Sequence, residues 1–227
     1  MFYAYAGLGL VAALLYRALP RHKPEAAHAP PMPLRESRAI VYKLAALFSL
    51  DSFAGGFAAQ SLLALWLFEQ FNMSLSAASV FFFWTGVASA ISFPVAVWIS
   101  KRVGLINTMV FTHIPSSVCL IVAAFSSDLT MVLSLLLLRA GLSQMDVPTR
   151  SSYVMAVVTP AERTAAASVT AVPRGIASAI SPAISGFMLA GAFAGLPFVI
   201  CGSLKIVYDL ALLGLFRKIK PPEEQQA

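Results

Sequence analysis

Two neighbouring apolar runs, Leu129 to Val157 and Glu162 to Leu189, are each long enough to cross a bilayer and carry ionised side chains far from their ends. A hydrocarbon layer of roughly 30 Å needs about 20 helical residues, and both runs exceed that. The first contains Arg139, Asp146 and Arg150, and the second contains Arg174. A charge at mid-depth costs at least about 2.5 kcal/mol on insertion scales, so such groups face a protein interior or a watered cavity. Two readings follow: arginines that only hold a helix bundle together, or polar groups that line a path for a solute.

Composition limits the setting of these runs. With 59% hydrophobic and 11% charged residues, the chain lies outside the range of soluble domains, which carry about 25% charged residues. It is read as an integral membrane protein of about seven spans. The net charge of +6 is collected in a few loops, which is the pattern of membrane orientation rather than nucleic-acid binding. Cys119 and Cys201 lie inside apolar runs as small hydrophobes. No disulfide framework, metal-ligand spacing or nucleotide-binding signature is present, so no cofactor and no enzymatic activity are expected.

Residues 1–19 form an apolar run whose positive charges follow it. A signal peptide has its charge first, so this run is read as a membrane helix. Residues 20–38 are a linker in which Pro24, Pro30, Pro31 and Pro33 exclude a regular helix and His22 and His28 are solvated. Residues 39–217 hold six further spans and residues 218–227 a polar tail. In the second span Asp51 precedes Gly55, Gly56 and Gln60, so a buried carboxylate sits just before a flexible point. It is either a solute or proton site or an Asp bonded to a neighbouring helix. The fourth span carries His113, a packing residue or a proton relay. Ala166, Thr170, Arg174, Ser178, Pro182 and Gly186 recur every four residues. This small-residue ladder predicts a face that approaches other helices and buries Arg174. Lys205 and Asp209, four apart, share a face and can neutralise each other.

The linker, the Lys101-Arg102 turn, the Arg163 elbow and the tail are basic, whereas the loops near Glu69, near Asp128 and at residues 190–194 contain no Lys or Arg. Seven spans with the N-terminus outside put all the basic segments on the cytoplasmic side. The last six spans also divide into two sets of three that enter from opposite sides. Ala90-Ile-Ser-Phe-Pro94 has a loose echo in Ala179-Ile-Ser-Pro182. Such 3+3 inverted repeats bind solutes near the midplane.

This succession of a helix, a Pro-rich basic linker and six spans resembles the major facilitator superfamily of secondary transporters from its sixth helix to its end. Pro148-Thr149-Arg150-Ser-Ser-Tyr153, with Pro160, Glu162 and Arg163 after it, resembles the turn between the tenth and eleventh helices of bacterial members. Lys101-Arg102-Val103-Gly104 matches part of the family's short cytoplasmic loop motif: Arg102 and Gly104 fit, while Lys101 stands where an Asp is expected and Val97 where a Gly is expected.

The resemblance implies an all-α membrane protein, one half of a major facilitator transporter, which moves a small solute by alternating access with proton coupling. It implies a bacterial inner (plasma) membrane and a missing N-terminal six-helix half, with the chain a fragment, a truncated gene or a true half-transporter. It puts Asp51, Gln60, Arg139, Asp146 and Arg174 on the solute or proton path. Arg150, Lys101 and Arg102 would form the inner gate, and the helices with His113 and Lys205 would be outer ones. The alternatives are a complete seven-helix receptor or retinal-type pump, with Lys205 as its Schiff-base lysine, and a non-transporting regulatory half.

Overall fold

The computed structural model describes residues 2–19, 32–217 and 219. Most of the linker at 20–31 and all but Ile219 of the tail beyond Arg217 lie outside the described residues. The described chain is helical, with no strand among the described residues. Helix α1, Phe2–Ala18, is a unit of its own, and Leu8, Leu14, Leu15 and Tyr16 on it are exposed.

Among its described residues the second unit contains six rods. The first is α2 (Arg38–Gly56) continued by α3 (Gln60–Phe71); α4 (Leu75–Val103) and α5 (Leu105–Phe125) follow. The fourth is α6 (Leu129–Ser143) continued by α7 (Asp146–Val157), and after a short 3-10 turn at Pro160–Glu162 come α8 (Arg163–Leu189) and α9 (Leu196–Phe216). Five rods are long and apolar enough to cross a membrane. The sixth, α8, has 27 residues, but its many Ala, Ser and Thr and its Arg174 dilute its hydropathy.

The rods pack as two interlocked sets of three. The first rod leans on α8 and α9, the fourth leans on α4 and α5, and α5 packs on α9. Exchanging the two sets leaves this list of neighbours unchanged, the arrangement expected of inverted repeats. The first rod of each set is also the broken one. At the α2–α3 break, Phe57 and Ala58 donate to Ala54 and Gly55, three residues back, at 3.2 and 3.1 Å. The Phe57 carbonyl, freed by the break, is taken up by the Ser185 hydroxyl of α8 at 2.9 Å, as an apolar layer requires. At the α6–α7 break, Pro148 lacks an amide, Val147 donates instead to the Gln144 carbonyl at 3.3 Å, and the Thr149 hydroxyl bonds the Met145 carbonyl at 3.1 Å. The unbroken run read from the sequence over residues 129–157 is therefore two helices.

The α2–α8 contact is the tightest. A Cβ on Gly56 would fall 1.9 Å from Ser181 Oγ. The buried face of α8 is Ala166, Thr170, Ser181, Ser185 and Leu189, which corrects the four-residue ladder. A residue turns about 100° around a helix axis, so a strict step of four advances about 40° each time and leaves the face. Ser178 on that ladder is exposed, while Ser181 and Ser185 carry the contact.

Two apolar cores result. Phe57, Trp66, Leu67, Leu120, Leu136 and Phe198 belong to one, and Val41, Phe48, Met109, Tyr153, Tyr208 and Phe216 to the other. On α2 the titratable residue Asp51 falls between the segments that feed the two cores, as Lys205 does on α9, and on α5 His113 lies at the inner edge of the segment that feeds the second.

Candidate functional site

Lys205 and His113 lie near the middle of helices of 21 residues each, roughly 13 Å from their starts at 1.5 Å per residue. Asp51 lies at the same level on α2, where the rod has passed one core and not reached the other. Ionisable groups at such depth need partners, and here they form one continuous chain. Asp146 pairs with Arg150 one turn along α7. Arg150 Nη2 also donates to Asp51 Oδ2 at 2.7 Å, and Lys205 Nζ donates to Asp51 Oδ1 at 2.7 Å. Lys205 Nζ lies 3.2 Å from His113 Nε2, and His113 Nδ1 lies 3.0 Å from Asp209 Oδ1. The six groups come from α2, α5, α7 and α9. The Arg150 guanidinium also lies over the Phe48 ring, 4.9 Å from its centre, so its flat face is covered by an aromatic surface that favours a cation. Asp51 is 5% exposed and Asp209 0%. Arg150 Nε and the Tyr208 hydroxyl have no partner among the described residues.

This chain forms one wall of a cavity of about 460 Å³, toward the lower part of the roughly 300–1,000 Å³ typical of small-molecule sites. Asp51, Gln60, Arg139, Asp146 and Arg174, the residues read as a path from the sequence, all line it. So do Ser52, Ser89, Arg150, His113 and Lys205. Arg174 is half-buried and reaches Ser52 Oγ through its Nε at 3.3 Å. Arg139 makes no ion pair among the described residues. Lys101 and Arg102 are exposed in the last turn of α4, where Arg102 stacks on Trp98 at 4.0 Å. They are outside the cavity lining, and Arg150, grouped with them from the sequence, is inside it.

Two sequence readings change. Lys205 and Asp209 do not neutralise each other: Lys205 binds Asp51 across the bundle, and Asp209 binds His113. The helices carrying His113 and Lys205 are not peripheral to the cavity, since both side chains line it. A signal existed in the sequence. His113 and Lys205 stand at the midpoints of their apolar runs, as Asp51 stands between two, so equal depth alone grouped them.

A second polar contact lies at the α7–α8 elbow. The Glu162 carboxylate accepts the backbone amides of Glu36 and Ser37 at 3.0 Å each, and also that of Arg35, where the chain approaches α2. These bonds to the ionised form, the one from the Arg35 amide foremost, hold the Glu162 carboxyl at about 2, against an ordinary value of 4.5.

A sequence model described as the Major Facilitator Superfamily matches residues 44–227. The chain is also 26% identical over 191 residues to an uncharacterized membrane protein of Saccharomyces cerevisiae; the match covers 82% of this chain and 43% of that protein. The chain thus spans less than half the length of this relative.

Proposed function

The chain belongs to the major facilitator superfamily, a family of membrane transporters, and from that premise we propose that it is half of a secondary carrier. A small solute binds in the cavity beside the Asp51 chain, against a second six-helix half. Membership of a transporter family sets aside the receptor and retinal-pump alternatives. The observation that carries the proposal is the continuous run of ionisable groups, buried at mid-depth and, all but Asp209, lining a cavity of about 460 Å³. Groups so placed cost folding energy and are characteristic of solute and proton paths.

Two features support alternating access. The ion pairs tie α2, α5, α7 and α9 together, so this half moves as one body against its companion. The broken first and fourth rods bring helix ends and polar groups to the cavity, as in transporters built from inverted repeats. Proton coupling runs along Asp51, Lys205, His113 and Asp209. Neighbours in this run are 2.7–3.2 Å apart, within reach for transfer. The basic loops favour a cytoplasmic C-terminus.

The test is transport by the intact carrier in proteoliposomes. An imposed proton gradient drives uptake in the native protein, and Asp51→Asn abolishes gradient-driven uptake while solute exchange persists. Unchanged active uptake by Asp51→Asn would remove Asp51 from the coupling path. Reconstituted native protein that moves no solute would favour the regulatory-half alternative.

A further inference from the structure

We propose that the cavity selects a small anion, held by the guanidinium groups of Arg139 and Arg174. This deepens the carrier reading and rests on it. The argument is a charge census of the cavity wall. Among the described residues four fixed cations line it, Arg139, Arg150, Arg174 and Lys205, against two carboxylates, Asp51 and Asp146. Both carboxylates are already engaged: Asp146 by Arg150, and Asp51 by Arg150 and Lys205. His113, also on the wall, is turned to Asp209, which uses that fifth carboxylate-binding group internally.

Arg139 and Arg174 are left over. Arg139 has no ion pair among the described residues, and Arg174 has only the neutral Ser52 hydroxyl. They come from α6 and α8, successive rods of the second set, and converge on one cavity. Two guanidinium groups in the wall of a membrane-embedded cavity need a counter-charge, and their forked donors suit carboxylate or phosphate oxygens better than any cation or neutral sugar. A cation would instead meet a wall whose two carboxylates are each already saturated by a neighbouring base.

The experiment measures saturable binding to the purified intact carrier, by thermal shift and by isothermal titration. The probes are inorganic phosphate and succinate as anions, choline as cation and glucose as neutral solute. At least one anion binds; Arg139→Gln and Arg174→Gln each weaken it roughly tenfold or more, the loss expected for one charge-assisted bond. Arg139→Lys, which keeps the charge and loses the fork, falls between and guards against a variant that misfolds. Arg38→Gln, on the exposed start of α2 and outside the cavity lining, leaves binding unchanged. Binding by neither anion overturns the proposal, as does anion binding unaffected by both glutamine variants. Saturable binding and transport of choline or glucose instead would refute anion selection and leave the carrier standing. Binding of none of the four probes overturns anion selection alone, because the carrier reading stands or falls on transport in proteoliposomes.

Discussion

Asp51→Asn is the substitution that most directly tests the buried chain. The change keeps the side chain's shape and removes its charge. In the native protein one carboxylate, 5% exposed, answers two cations at 2.7 Å each. Breaking a buried ion pair strands a charge and costs about 3–5 kcal/mol. The two cations are not equally stranded here. Arg150 keeps Asp146, whereas Lys205 keeps only the neighbouring imidazole nitrogen at 3.2 Å. Most of the cost therefore belongs to Lys205, and Asp51→Asn combined with Lys205→Met removes the stranded ammonium along with its lost partner. For a chain of this size 1 kcal/mol moves the midpoint by about 2–4 °C, so the single variant falls by roughly 6–20 °C. The double variant recovers at least half of that loss. Thermal unfolding of purified protein in detergent, followed by tryptophan fluorescence, reads both, and a double-mutant cycle isolates the coupling. If the double variant loses the sum of the single losses, Asp51 and Lys205 are not coupled and the chain as drawn is wrong.

Gly56→Ala puts a methyl group 1.9 Å from Ser181 Oγ and 3.0 Å from Pro182 Cδ, an overpacking that costs about 1–3 kcal/mol. Adding Ser181→Gly restores part of the midpoint; no effect of Gly56→Ala would mean that α2 and α8 are farther apart. Glu162, held at about 2 against 4.5, binds its proton less readily when folded. Its stabilising effect is therefore complete above pH 4.5 and is lost as pH falls toward 2. The midpoint difference between native protein and Glu162→Gln should close over that window, and a difference independent of pH would refute the clamp.

Five of the six rods were legible in the sequence because each is an apolar run of bilayer length, whereas α8 was legible by its length rather than its hydropathy. The break before Asp146 was not legible. It depends on how Thr149 and Pro148 share out the freed carbonyls, and a hydropathy pattern carries no hydrogen bonds. Gly55-Gly56 announced a flexible point but not its partner, since the need for a glycine comes from Ser181, distant in sequence. At the site, polar residues at mid-depth pointed to the right helices. Lys205 was misassigned because spacing along one helix is the only proximity a sequence displays, and its partner Asp51 is 154 residues away. Arg150 was grouped with the surface bases for the same reason, being near Asp146 in sequence and near Asp51 only in space.

The grip of Glu162 on the amides of residues 35–37 fixes where a tether would start. Whatever is joined through the preceding residues is moored at the α7–α8 corner, not at the free tip of α2. Its usable length is counted from Met32, whose amide donates to the Ala161 carbonyl of the same corner at 2.9 Å, and tension on it would reach the bundle as a load on that corner before it could unwind the first turn of α2.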